Sequence, residues 1–142
     1  LVDAFEPKEI YQKLNLPLEV VKQMKKQKHP FKLITGDLLS HYPFGKIFTI
    51  EDLEEESEKF NERDRVPTGL LSGKRVKNSE GLAYEIEKEY EENTGEDGAR
   101  RFAWVFPEDI SSNYKEEKNW MEIQFYLPKG SYATEVIAEI IH

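Results

Sequence analysis

The sequence contains no cysteine, and no uninterrupted apolar stretch approaches the roughly 20 residues that a helix needs to span a bilayer. The first absence excludes disulfide scaffolds and thiolate zinc sites, and the second predicts a soluble protein with no membrane partner. Residues 1–11 also lack the basic and apolar segments of a secretory signal peptide. These features predict a cytoplasmic location.

Familiar catalytic and metal-binding motifs are missing as well. The histidines His29, His41 and His142 lie too far apart for a zinc site on one helix. Residues 69–75 resemble a phosphate loop, but a Walker motif needs four residues between its glycines, and here there are three. The glutamate-rich stretches are typical of solvated helix faces. The sequence therefore predicts neither a metal nor an organic cofactor.

Charge is distributed unevenly along the 142 residues. The net charge is -8, yet residues 1–48 hold eight lysines against five acidic residues, while residues 49–142 are strongly acidic. An acidic surface repels phosphate, so the average charge argues against a general nucleic-acid binder. Five cations, however, are concentrated between residues 63 and 77 with a single aspartate: Arg63, Arg65, Lys74, Arg75 and Lys77.

Apolar periodicity and the positions of Pro and Gly predict a mixture of short helices and strands. The helices are expected at about 7–14, from residue 18, from Thr49 to about Glu62, from about 79 to 90 and from about 131. We expect a central, doubly covered strand at 102–106 and a second strand at 120–127, joined by a polar connector at 111–119. Residues 63–77 contain Pro67, Gly69 and Gly73, which favours an ordered loop.

Two interpretations of this basic segment are equally open from composition. Glycine-containing backbone with concentrated positive charge is suited to contact with a phosphate backbone. Alternatively, the same cations pair with carboxylates of the flanking acidic helices.

Three segments resemble one family. Residues 63–74 (RDRVPTGLLSGK), with EGLA at 80–83, are similar to a PTGPL…EGLA region of the TruD family of tRNA pseudouridine synthases. Residues 98–109 (GARRFAWVFPED) resemble that family's RR…P.D strand. LPKGSYAT at 127–134 is similar to its closing signature, and Gly36-Asp37 to a GD turn. The resemblance covers about residues 30–142.

The resemblance implies an isomerase that converts a uridine of tRNA to pseudouridine without metal or cofactor. The family's catalytic aspartate lies in a GLKDK-like motif that this sequence lacks, and we do not assign its role to Asp37, Asp64 or Asp109. No catalytic residue is therefore predicted here. Because Leu1 replaces methionine, we expect a C-terminal fragment, inactive alone, whose partners are tRNA and the missing N-terminal part of the same protein.

The expected fold class is α+β. Residues 1–95 are expected to be part of a TruD-type insertion domain of short helices and strands. Residues 96–142 are expected to be a β-β-α unit that completes a mixed or antiparallel catalytic sheet.

The resemblance also implies roles for two groups of residues. The five cations of 63–77 are candidates for RNA binding. A turn at the start of the last helix is a candidate for active-site support: Gly130, Ser131, Tyr132, Ala133 and Thr134. For Tyr132, stacking near the target base and packing in the core are both open. The alternative for the whole turn is a plain capped helix packed on a strand. The alternative function is a non-catalytic RNA-binding or protein-interaction module.

Overall fold

A computed structural model describes residues 6–92 and 94–141. Leu1 and His142, which entered the interpretation of the sequence, lie outside these ranges. The chain forms two compact units, Leu1–Ala103 and Trp104–His142. The assignment of residues 1–95 and 96–142 to insertion and catalytic domains stays a prediction.

The described helices and strands are short. The helices are α1 (Pro7–Leu14), α2 (Leu18–Lys26), α3 (Leu53–Asn61), α4 (Gly81–Glu87) and α5 (Ala133–Ile141). The strands are β1 (Leu38–His41), β2 (Ile47–Thr49), β3 (Arg65–Leu71), β4 (Ala99–Phe102), β5 (Glu108–Lys115) and β6 (Trp120–Tyr126). Within the described ranges, none of the helices has the length and apolar character that crossing a membrane requires.

The first unit is built on a four-stranded antiparallel sheet in the order β2-β1-β3-β4. Strand β1 is internal, and successive residues Leu38, Leu39 and Ser40 are all buried, so both of its faces are covered. A separate cluster joins α1 and α2 to α4, where Ile10, Val21 and Ala83 pack together. The first unit therefore has a core of its own.

The second unit consists of the β5–β6 hairpin followed by α5. Asn119, in the left-handed region at φ 53°, closes a 3₁₀ turn between the strands. The hairpin pairs in register from Lys115↔Trp120 to Ser111↔Gln124. None of the described residues between 104 and 141 is buried.

The α+β class with short helices and antiparallel sheets is confirmed. Three predicted elements are wrong. Residues 63–77 are not a single loop, since β3 occupies their centre. The strand predicted at 102–106 ends at Phe102 and lies at an edge of the sheet rather than its centre. The polar connector at 111–119 is largely β5, because its backbone pairs with β6 although its side chains stay in solvent.

The start of α3 also differs from the expectation. The helix begins at Leu53 because the Asp52 Oδ1 atom accepts a hydrogen bond from the Glu55 N–H at 3.0 Å. Thr49 instead pairs with Leu38 in the sheet, and its hydroxyl donates to Glu80 at 2.9 Å.

Candidate functional site

The five cations of residues 63–77 fall into two groups at opposite ends of β3. Arg63 and Arg65 lie at its beginning, whereas Lys74, Arg75 and Lys77 follow its end at Leu71. A seven-residue strand is roughly 20 Å long at about 3.3 Å per residue. The structure therefore does not bring the five side chains to one point.

Arg65 is held by the protein itself. Its Nε donates to the Glu56 carboxylate on α3 at 3.1 Å, and both side chains are largely buried. The guanidinium carbon also lies 5.7 Å from the centre of the Phe48 ring. Next to it, Arg63 adopts a left-handed backbone at φ 66°, where α3 turns into β3. Of the two interpretations of the basic segment, Arg65 therefore follows the second, in which the cation pairs with a carboxylate of a flanking acidic helix.

The other group follows the end of β3, where two of its members lie on a concave surface. Lys74 and Arg75 line it together with Ser72, Asn78 and Glu91. The Lys74 backbone is fixed, since its N–H donates to Glu96 and its carbonyl accepts from Gly98, both at 2.7 Å. This close approach needs glycine: a Cβ on Gly73 would come within 2.4 Å of the Gly98 nitrogen.

The side chains of this group differ in their partners. Arg75 forms two hydrogen bonds to Asp97, at 3.0 and 2.5 Å, yet remains 80% exposed. Among the residues that the structure describes, no carboxylate lies within ion-pair distance of the Lys74 or Lys77 amino groups. The concave surface therefore presents the Lys74 ammonium group beside the paired Arg75 guanidinium and the Glu91 carboxylate. Lys77 instead lines a second pocket together with Glu51 and Glu80.

Below this surface lies a buried ion pair that sequence reasoning missed. The Arg100 side chain is 2% exposed and binds the Glu87 carboxylate through both terminal nitrogens, at 2.5 and 2.7 Å. Its Nε donates to the Lys77 carbonyl at 2.8 Å, and the Ser79 hydroxyl donates to Glu87 at 2.6 Å. Burial works to raise the pKa of Glu87, but the hydrogen bonds from Arg100 and Ser79 hold it below its usual value. The pair fixes the backbone that carries Lys77.

Asp37, in the Gly36-Asp37 turn, carries a partly buried carboxyl group. Its Oδ2 atom accepts a hydrogen bond from the Ile34 N–H at 2.8 Å. Burial raises the pKa of its carboxyl to about 6, while the hydrogen bond from Ile34 opposes this shift. Both backbone groups of Asp37 are also used, since its N–H donates to Ile34 and its carbonyl accepts from Ile50. The residue holds the turn in place.

The candidate turn of the second unit lies between β6 and α5. The Ser131 N–H donates to the Pro128 carbonyl at 3.2 Å, and Gly130 has φ +91°, which favours glycine. Tyr132, Ala133 and Thr134 are exposed, and α5 begins at Ala133. The N–H groups in the first turn of a helix are suited to an anionic or carbonyl group.

Within residues 6–92 and 94–141, no three His, Asp or Glu side chains are grouped so that they could hold a metal ion. The features that could take part in function are instead the cations of residues 63–77, the turn before α5 and the ion pairs Arg65–Glu56 and Arg100–Glu87.

Comparison with known proteins assigns these features to a family. The model of the family described as "tRNA pseudouridine synthase D (TruD)" matches residues 19–140. The chain belongs to the TruD family. The sequence segments that suggest this family are thus parts of β3, β4 and the start of α5 in the TruD chain.

Curated relatives agree with this assignment. A tRNA pseudouridine synthase D of Sulfurimonas denitrificans is 50% identical over 140 residues, which are 99% of the TruD chain and 39% of the relative. One of Wolinella succinogenes is 53% identical over 128 residues, 89% of this chain and 36% of the relative. The TruD chain therefore spans less than two-fifths of the length of these relatives.

A solved structure supports the fold. The crystal structure of a Methanosarcina mazei protein described as a tRNA pseudouridine synthase D superposes with a TM-score of 0.58. The match has 21% sequence identity and covers 86% of the TruD chain and 34% of the other chain.

Proposed function

We propose that this chain is the C-terminal portion of a TruD-type tRNA pseudouridine synthase, which isomerises a uridine in tRNA to pseudouridine in the cytoplasm. The observation that carries the proposal is the family match over residues 19–140, together with relatives about half identical that are named tRNA pseudouridine synthase D. In such a reaction the target nucleotide leaves its stack and enters a pocket of the enzyme. The intact protein needs no metal or cofactor for this chemistry.

The chain's own role would be to contact RNA and support the active site. The sequence lacks the family's aspartate motif, so the bond-making carboxylate would come from another part of the protein. The turn at 130–134 would support the active site through the N–H groups that precede α5.

Among the five candidate cations, the group beyond β3 is best suited to phosphate. Lys74 and Lys77 extend from backbone that is held by Glu96, Gly98 and Arg100, so both side chains start from fixed backbone. Lys74 lies on the concave surface, and Lys77 lines a second pocket. Arg75 would exchange its exposed contact with Asp97 for a phosphate at little cost, because exposed ion pairs contribute only about 0–1 kcal/mol. Arg63 and Arg65 would contribute less, since Arg65 is engaged with Glu56.

The activity itself is tested with the intact protein and an unmodified tRNA transcript. Pseudouridine is expected in the product RNA, and none is expected from residues 1–142 alone. Failure of the intact protein to form pseudouridine while it still binds tRNA would favour the alternative, a non-catalytic RNA-binding module. Failure to bind tRNA at moderate salt would favour a protein-interaction module.

The basic surface is tested by the salt dependence of tRNA binding. We expect Lys74→Ala with Lys77→Ala to weaken binding and to reduce the slope of log K against log salt by about one unit for each lost phosphate contact. Lys88→Ala is the matched control, because Lys88 pairs with Glu85 in an acidic stretch. Equal slopes for the double variant and the control would remove this surface from the RNA interface.

A further inference from the structure

The tip of the β1–β2 hairpin, residues 42–46, carries the most exposed large apolar side chain of the described residues. Phe44 is 82% exposed, although it belongs to the unit that has its own core. No other large apolar side chain between residues 38 and 50 is exposed. Phe44 is thus a single aromatic group in solvent and not part of a larger apolar patch.

Its exposure does not come from a loose loop. The Tyr42 N–H donates to the Asp64 carbonyl at 3.0 Å, which joins the hairpin tip to the start of β3. On the other side, Gly45 lies so close to His41 that a Cβ would come within 2.5 Å of the His41 Cβ. One side of the tip is therefore hydrogen-bonded to the segment before β3, and the other side packs closely against His41.

The charge around the tip differs from that of the whole chain. Residues 38–50 contain no Asp or Glu, although the net charge of the chain is -8. Lys46 is exposed, and no carboxylate of the described residues pairs with it. At the base of the hairpin, the His41 ring lies 5.2 Å and the Arg65 guanidinium 5.7 Å from the Phe48 ring. The tip thus presents an aromatic face on a segment whose own residues carry no acidic side chain, and Asp64 is the neighbouring acid through its backbone contact with Tyr42.

We infer that the tip binds an unpaired RNA nucleotide, with Phe44 stacking on the base and Lys46 contacting an adjacent phosphate. This inference rests on the proposed function and adds to it a site that lies outside the candidate cations of 63–77. A stacking aromatic beside a cation is the arrangement by which proteins hold single-stranded nucleotides. An apolar protein partner would be expected to meet a broader apolar patch than one ring.

The first unit offers a matched contrast. Tyr90 is 73% exposed, so its ring is almost as accessible as that of Phe44. The acidic residues Glu89 and Glu91 flank it in the chain, whereas Lys46 and no acid lie within two residues of Phe44. Exposure is similar at the two positions, and charge distinguishes them.

The experiment measures tRNA affinity of the intact protein with three substitutions of Phe44. Phe44→Ala is expected to weaken binding of an unmodified tRNA transcript about 5- to 100-fold, the range found for the loss of one base stack. Phe44→Leu should be equally weak because leucine has no aromatic face, and Phe44→Trp should keep the affinity. Tyr11→Ala is the control, because its ring is 49% exposed on α1 and lies on neither proposed RNA surface. Binding of a fully paired RNA duplex should not change with any of these variants.

Two results would overturn the inference. Binding of Phe44→Ala like wild type would show that the ring contacts no RNA. A loss in Phe44→Ala that Phe44→Leu restores, together with a parallel fall and recovery of Tm, would show that the ring packs against protein. The pseudouridine assay is read separately, so an inactive protein whose binding depends on Phe44 would contradict the proposed function and leave the stacking site supported.

Discussion

The two units of the chain differ in how much of their apolar surface is buried. In Leu1–Ala103, side chains such as Phe60, Leu39 and Val66 are almost completely buried, and residues on both faces of β1 are buried. In Trp104–His142, none of the described side chains is buried, and Ile110, Met121 and Ile141 are exposed. Burial of apolar surface is the main favourable term in folding, so we expect only the first unit to be stable alone.

This contrast is consistent with the share of its relatives that the chain covers. A hairpin and one helix have one apolar face each and need another layer to cover them. Relatives of the TruD family are more than twice as long as this chain. The exposed apolar residues of the second unit would offer a surface for such an additional layer. Phe44 in the first unit is instead a single exposed ring in a segment, 38–50, that contains no Asp or Glu.

The largest effect is expected from separating the units. A protein of residues 1–103 should unfold cooperatively on heating, because it keeps the buried core. A protein of residues 104–142 should show no cooperative transition, since two-stranded units are marginal in water. Circular dichroism during thermal unfolding measures both. A cooperative transition in the shorter protein would show that the contrast between the units is wrong.

A smaller effect is expected from breaking the buried ion pair of the first unit. Arg100→Ala leaves the Glu87 carboxylate buried without its partner, and we expect a loss of about 3–5 kcal/mol in the free energy of unfolding. The matched control is Arg75→Ala, which breaks the exposed pair with Asp97 and should cost about 0–1 kcal/mol.

Urea unfolding of the 142-residue chain measures both variants. Equal losses in the free energy of unfolding would mean that burial does not make the Arg100–Glu87 pair more costly to break than the Arg75–Asp97 pair. A partial recovery in the double variant Arg100→Met with Glu87→Leu would identify the unpaired charge, not lost packing, as the cause.

The smallest effect concerns pH and Asp37. Its pKa in the folded protein is about 6, above its ordinary value of 3.8, so the folded state binds a proton more tightly than the unfolded state. The contribution of Asp37 to stability is therefore greatest below about pH 4 and is lost as the pH rises through 6. Two pKa units correspond to roughly 2–3 kcal/mol.

Asp37→Asn keeps an oxygen that accepts the Ile34 hydrogen bond and removes the titration. The free energy of unfolding is measured for both proteins from pH 4 to 7. Relative to Asp37→Asn, the wild-type value should decrease as the pH rises through 6. A difference between the two proteins that is constant over this pH range would contradict the raised pKa.

Local patterns in the sequence predicted the elements whose stability is local. The helices at 7–14 and from 18 follow from apolar spacing and from Pro7 and Pro17, and β6 follows from the alternation at 120–127. The motifs at 63–74, 98–109 and 127–134 were sufficient to identify the family. These features depend on residues that are close together in the chain, so local sequence patterns are sufficient to predict them.

Strand β3 shows where local patterns fail. Pro67 and Gly69 predicted a loop, yet β3 is an internal strand of the sheet. The Pro67 carbonyl accepts from Ala103, and the Thr68 hydroxyl donates to the Leu38 carbonyl 30 residues away. These partners come from other parts of the chain, so no local propensity contains them. The same holds for β5, whose polar side chains gave no sign of its pairing with β6.

The sequence alone determined the number of cations in 63–77, the absence of acids from 38–50 and the family to which the chain belongs. Only the tertiary structure decided that Arg65 is held by Glu56, that Arg100 is buried against Glu87, and that Phe44 stands on a fixed hairpin tip in solvent. The reason is that the surroundings of a charge or a ring depend on the register of strands and helices distant in the chain. That register is set by the burial of the whole core and not by any single segment.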